Sequence, residues 1–101
     1  MNRIVYVNGA YLSEDEATIS IFDRGFLMAD AVYEVTSVLD GKLLEFEGHL
    51  KRLKRSLSEL DMPEPSVFND LLEIHRKLVN DHQVEQGGVY LQVTRGVADR
   101  D

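Results

Sequence analysis

An α+β domain, in which an antiparallel sheet carries two helices on one of its faces, is the fold class the sequence predicts. Three observations predict it. Two Xaa-Gly pairs, Asn8-Gly9 and Asp40-Gly41, each separate short runs with strand character, and such pairs supply the positive φ angles of tight hairpin turns. Two leucine-rich stripes at helical spacing fill the middle of the chain, one on either side of a proline pair. A final alternating run, Val89 to Thr94, restores strand character.

Ile4 to Val7, Asn8-Gly9 and Ala10 to Leu12 read as the first hairpin. Ser13-Glu14-Asp15-Glu16 is a polar link, after which Ala17-Thr18-Ile19-Ser20-Ile21 alternates as a strand would. The stretch that organises the chain runs from Ile21 to Val35. It opens with a charged turn at Asp23-Arg24-Gly25, crosses a short apolar segment and enters a strand-like run that carries Tyr33 among β-branched neighbours. On periodicity alone Tyr33 is a half-buried strand tyrosine. Asp40-Gly41 turns the chain, and Lys42 to Phe46 is read as the returning strand.

Helix signals begin at Glu47-Gly48. Leu50, Leu53, Leu57 and Leu60 form one apolar stripe, and Lys51, Arg52, Lys54 and Arg55 form the only basic cluster. Arg52 projects roughly 120° from the centre of the stripe at 100° per residue, so geometry alone does not separate it from Arg55. On the residues alone, a solvated face with i,i+4 pairs such as Arg55 to Glu59 is the ordinary account of such a cluster. Pro63 and Pro65 break this helix; Ser66 is a plausible N-cap, and Val67, Leu71, Ile74 and Leu78 mark the face of the next one, which frays at Asn80-Asp81. His75 and His82 read as surface histidines, seven apart and without a metal-ligand motif, so no metal site is expected. Arg95-Gly96 then turns out of the last strand into a polar loop, a common place for functional residues.

Composition narrows the function classes. The 101 residues suffice for one domain, predicted to bury about 65% of its unfolded surface. With 44% hydrophobic and 29% charged residues the chain is ordinary globular material, and a net charge of -7 argues against nucleic-acid binding. The absence of cysteine excludes disulfides and thiolate metal sites. Neither a signal peptide nor a membrane-spanning stretch is visible, so a cytoplasmic location and no membrane partner are expected.

Val7-Asn8-Gly9, Phe22-Asp23-Arg24-Gly25-Phe26, Ala29 to Val35, Gly48-His49-Leu50-Lys51-Arg52-Leu53 and Gln92-Val93-Thr94-Arg95-Gly96 together resemble the N-terminal domain of the class IV (fold type IV) pyridoxal-phosphate aminotransferases, nearest to their D-amino-acid branch. The resemblance covers essentially the whole chain, in order. It implies that residues 1–101 are the small N-terminal domain of such an enzyme. The larger C-terminal domain, which carries the lysine that bonds pyridoxal 5'-phosphate, is expected to be absent here. It also implies an active site completed across a homodimer, with an amino acid and a 2-oxo acid as substrates.

Residue by residue, Arg52 matches the family arginine that holds the cofactor's phosphate, a task suited to a guanidinium that donates parallel hydrogen bonds. Tyr33 matches a tyrosine that binds the substrate carboxylate. Arg100 matches the arginine of an Arg-x-His motif that reaches into the partner's site to bind the α-carboxylate, its histidine falling just after Asp101. Ala31 stands where the family most often has glycine, so its backbone should avoid positive φ. The lysines present, Lys42, Lys51, Lys54 and Lys77, are poor substitutes for the cofactor lysine, so no catalytic residue is assigned and the chain alone should be inactive. Branched-chain aminotransferases and aminodeoxychorismate lyases share the scaffold and the Arg52 logic, and a non-catalytic interaction module is the alternative from another class.

Overall fold

The computed structural model describes residues 3–99. Strands β1 (Ile4–Val7) and β2 (Ala10–Ser13) pair antiparallel, with Val7 opposite Ala10 and Ile4 opposite Ser13. Asn8 and Gly9 take φ values of 49° and 95°, the left-handed pair that matches the twist of a two-residue hairpin. This hairpin forms a two-stranded sheet of its own. Residues 17–20 adopt no regular structure, against the strand their alternation predicts. Without a neighbouring ladder the alternation has nothing to pair with, and Ile19 stays exposed.

Asp23 opens a short helix, α1 (Arg24–Met28), that the sequence reading did not anticipate. Its carboxylate accepts from the Gly25 N–H at 2.8 Å, and Ala29, in the left-handed region at φ 54°, closes it by returning its N–H to the Arg24 carbonyl. So short a helix shows no periodicity to read, and its ends are set by side-chain and tertiary bonds instead.

The second sheet has the order β4-β3-β5, antiparallel throughout. Its centre is β3 (Ala31–Leu39), paired along its whole length with β5 (Gln86–Thr94), from Ala31 opposite Thr94 to Leu39 opposite Gln86. Ala31 lies in regular strand, as an alanine there requires. Asp40 and Gly41 make the predicted turn at φ 53° and 73°. The return strand β4 is only Lys42–Leu43, shorter than the sequence suggests. Glu45, at φ 57°, redirects the chain so that Phe46 becomes the first residue of α2 and sets its ring edge-on to His75 at 5.0 Å.

Helix α2 (Phe46–Glu59) lays its stripe on the sheet, burying Leu53 and Leu57 while Leu60, at its C-terminal cap, remains partly exposed. After the prolines a 3₁₀ turn (Phe68–Asp70) leads into α3 (Leu71–Asp81), and Ser66 is not its cap. Leu53, Leu57, Met62, Phe68, Leu71 and Ile74 make one core, against which Val32, Leu91 and Val93 of the sheet pack. Two histidines depart from expectation. His75 is buried, its Nδ1 2.7 Å from the Leu71 carbonyl, and His82 uses both ring nitrogens, Nδ1 toward the Leu78 carbonyl and Nε2 accepting from the Ile4 N–H at 3.0 Å. His82 thereby fastens the first hairpin to α3.

Strand alternation sorts β3 into two faces. Glu34, Thr36 and Val38 are buried beneath the helices, whereas Tyr33, Val35 and Leu39, with Tyr90 of β5, are exposed on the helix-free side.

Candidate functional site

A carboxylate at an inward position of a strand must be paired or it destabilises the fold. Glu34 is in that position, with a side chain only 7% exposed. The pairing comes from α2, where His49 and Arg52 stand three residues apart on one helix face. Arg52 approaches side-on: Nε donates to Oε2 at 2.9 Å and Nη2 to Oε1 at 2.9 Å. His49 Nδ1 lies 2.6 Å from Oε1. An ionised carboxylate only accepts, so the proton is on Nδ1 and the ring donates. The 3.5 Å approach of Arg52 Nη2 to the same nitrogen is then donor against donor, a packing contact. The Arg52 guanidinium beside Glu34 holds its carboxyl below the usual carboxylate range, with burial opposing and His49 assisting. In return, the Glu34 hydrogen bonds raise the Arg52 pKa further above its already high value.

Glu34 uses only one side of the guanidinium. Two of the five N–H bonds of an arginine are committed to it, and among the described residues the two on Nη1 and the second on Nη2 have no partner. The Arg52 side chain is 65% exposed, so these donors face solvent. They suit a small oxyanion with two oxygens abreast, such as a phosphate. Arg55, indistinguishable from Arg52 by helix angle, pairs instead with Glu59 at 3.0 Å on the outer face.

Tyr33 precedes Glu34 and points to the other side of the sheet, stacked on Tyr90 with ring centres 5.6 Å apart and planes inclined by 15°. It is 63% exposed. The Tyr90 hydroxyl donates to Gln92, and that of Tyr33 makes no hydrogen bond among the described residues. Arg100, the third predicted site residue, lies outside the described residues.

The loop leaving β5 toward Arg100 is nevertheless well held. Asp23 Oδ2 accepts from Thr94 Oγ1 at 3.2 Å, Thr94 Oγ1 accepts from the Gly96 N–H, and the Arg24 N–H donates to the Gly96 carbonyl at 2.8 Å. Asp23 and Val97 form an isolated antiparallel bridge. Beside it, Asp30 Oδ2 takes Nε of Arg95 at 2.7 Å and Nε of Arg24 at 3.2 Å, while Arg95 also donates to the Leu60 carbonyl at the end of α2. Arg95, followed by Arg24, keeps the Asp30 carboxyl below its ordinary pKa despite opposing desolvation. These bonds join α1, both long strands and α2 at one end of the sheet.

Sequence reasoning named Arg52 and Tyr33 but missed Glu34, His49 and the Asp30–Arg95 pair. One signal was available: Glu34 shares its strand face with Val32, Thr36 and Val38, and a charge at an inward position calls for an opposite charge nearby. Of the lysines, Lys54 lies 4.0 Å from Glu64 and Lys77 2.8 Å from Asp81, both away from Arg52. A groove of about 690 Å³ lies between β4 and α3 around Lys42, Phe46 and Arg76 and includes none of Tyr33, Glu34 or Arg52. Arg52, largely exposed, stands on an open surface.

Comparison with known proteins bears on what that surface belongs to. The family described as Amino-transferase class IV matches residues 31–101. The chain is 39% identical over 97 residues to a D-alanine aminotransferase of Staphylococcus aureus (strain N315), an alignment that takes in 96% of this chain and 34% of the relative. It thus spans about a third of the length of the curated relatives it matches. Among solved structures it is similar to a fold IV-transaminase from Curtobacterium pusillum, with a TM-score of 0.79 at 29% identity, covering 87% of this chain and 32% of that one. A PLP-bound hypothetical aminotransferase from Mycobacterium tuberculosis gives 0.79 at 25%, over 94% and 34% of the two chains. The 4-amino-4-deoxychorismate lyase of Pseudomonas aeruginosa gives 0.70 at 28%, over 84% and 30%.

Proposed function

The chain belongs to the class IV aminotransferase family, and we propose that it is the N-terminal small domain of a pyridoxal-phosphate-dependent enzyme that transfers an amino group between a D-amino acid and a 2-oxo acid. The observation that carries this reading is Arg52. Its side-on pairing with Glu34 leaves a solvent-facing set of N–H donors whose number and spacing fit a phosphate monoester. Pyridoxal phosphate, when bound, supplies the electron sink that makes the α-proton of an amino acid acidic. The residues of this chain have binding and orienting tasks. Arg52 holds the phosphate, Tyr33 offers its free hydroxyl to a substrate carboxylate, and Arg100 meets that carboxylate in a partner subunit. The Asp23 and Asp30 bonds hold the loop from which Arg100 departs.

The D-amino-acid assignment rests on the 39% identity to a D-alanine aminotransferase. On this reading the lysine that carries the cofactor lies in a further domain, since the chain corresponds to about a third of its relatives and its own lysines are engaged or placed elsewhere. The exposed face bearing Tyr33, Val35, Leu39 and Tyr90 is apolar enough to be covered in the working enzyme, a cytoplasmic homodimer on this proposal. No helix among the described residues is long and apolar enough to cross a membrane. The 101-residue chain alone is inactive on this account. A second reading, a lyase acting on aminodeoxychorismate, is favoured by the similarity to the Pseudomonas aeruginosa lyase.

The test is to supply the intact protein with D-alanine, L-leucine or aminodeoxychorismate together with 2-oxoglutarate and pyridoxal phosphate. Pyruvate formed from D-alanine, with matching glutamate, supports the proposal. Turnover of L-leucine alone, or pyruvate released only from aminodeoxychorismate, replaces it with another activity of the same family.

A further inference from the structure

We propose that Glu34 is a positioning residue for the cofactor's phosphate, one that selects the edge of Arg52 presented to it and orders that edge before the cofactor arrives. The inference rests on the phosphate-holding reading of Arg52 given above. An arginine on an exposed helix face has several rotatable bonds and offers two different hydrogen-bonding edges, the Nε–Nη2 side and the Nη1–Nη2 end. Here the side edge is taken: both bonds at 2.9 Å go to a carboxylate that is itself almost buried. The end edge is left, pointing outward, and a phosphate meeting it receives two parallel N–H donors. Because the side chain is already ordered by folding, less conformational freedom is lost when the anion binds.

His49 completes the arrangement. Its Nδ1–H occupies Oε1 at 2.6 Å from a ring that is only 20% exposed, so the carboxylate is fixed from two directions and cannot rotate away with the arginine. The negative charge of Glu34 opposes phosphate binding through space. That repulsion is limited, because Glu34 lies behind the guanidinium, accepts from two residues and is buried under α2, whereas the phosphate would sit on the solvent side. Ordering and edge selection therefore outweigh it.

The experiment uses the intact enzyme stripped of cofactor, titrated separately with pyridoxal 5'-phosphate and with pyridoxal, which lacks the phosphate. Proteins compared are the parent, Glu34→Gln, Glu34→Asp, Arg52→Lys and the Glu34→Gln/Arg52→Lys double variant. Circular dichroism establishes that each is folded, and Glu34→Asp, which keeps the charge but withdraws it by one methylene, serves if Glu34→Gln does not fold. We expect each Glu34 change to weaken pyridoxal-phosphate binding about tenfold, the size of one lost charge-assisted hydrogen bond, with pyridoxal affinity unchanged. The double variant should bind no worse than Arg52→Lys alone, because Glu34 acts only through Arg52. If Arg52→Lys weakens the phosphorylated cofactor selectively but the Glu34 variants bind it as well as the parent or better, or lose both ligands equally, the positioning role is wrong. If Arg52→Lys shows no selectivity for the phosphorylated form, the phosphate-holding reading of Arg52 fails instead.

Discussion

Gly25→Ala is the substitution on which the interlock between α1 and β5 can be judged. Gly25 lies in the first turn of α1, where an alanine would ordinarily stabilise the helix by up to about 1 kcal/mol. A Cβ built there, however, falls on the Thr94 methyl Cγ2 well inside any permitted contact distance, and also stands 3.0 Å from Thr94 Cβ and 3.1 Å from Asp23 Oδ1. Thr94 cannot simply turn aside, because its hydroxyl donates to Asp23 and accepts from the Gly96 N–H. Overpacking of this kind costs about 1–3 kcal/mol, and disturbing the Thr94 bonds adds about 1 kcal/mol. Less the gain in helix propensity, the net destabilisation is about 2 kcal/mol, a fall in melting temperature of roughly 10 °C for a domain of this size. Urea and thermal unfolding followed by circular dichroism measure it. Thr94→Ser removes the offending methyl and keeps the hydroxyl, so adding it to Gly25→Ala should recover part of the loss. A Gly25→Ala protein as stable as the parent, or a double variant no better than the single, would refute the interlock.

Burial lowers the pKa of His75 below its ordinary value of 6.5, partly offset by the bond to the Leu71 carbonyl. The unfolded chain therefore binds a proton more readily than the folded one, and the neutral ring's contribution, complete above about pH 6.5, should decline as the pH falls toward the folded-state pKa. Urea midpoints between pH 5 and 8 test this, with His75→Phe expected to flatten the slope. Leu53, 1% exposed at the centre of the core, should cost about 3 kcal/mol when replaced by alanine, read from the same urea curves. Arg55→Ala should change stability by less than about 0.5 kcal/mol, because the pair with Glu59 is solvated on both sides, and a larger loss in thermal melts would mean that the outer face of α2 has partners of its own.

Much of the scaffold is legible in the chain because it rests on short-range chemistry. Asn8-Gly9 and Asp40-Gly41 can turn only where φ is positive, and both do so. Leu53 and Leu57, on a helical stripe, have only one face to bury. The motifs that resemble the class IV enzymes span nearly the whole chain and point to the family that comparison supports. Where local signals were short or two-sided, the reading went astray. Residues 17–20 alternate without a neighbour to pair with, α1 is too brief for a period, and Glu45 takes a left-handed turn that ends β4 after two residues.

At the candidate site the division is sharper. That Arg52 and Arg55 are always charged and sit on the flanks of α2 follows from the amino acids alone, and the family pattern favours Arg52. Which guanidinium meets a buried acid depends on how α2 seats over β3, a relation between residues 18 apart in sequence that no local period encodes. His75 and His82 show the same limit, since each helix position is polar or apolar only with respect to what packs against it, here Phe46 and the Ile4 amide. Residue chemistry settled which groups could hold an anion. The packing of one helix on one sheet decided which arginine is anchored and which of its edges remains free, because burying the Glu34 carboxylate is tolerable only where that partner can reach it.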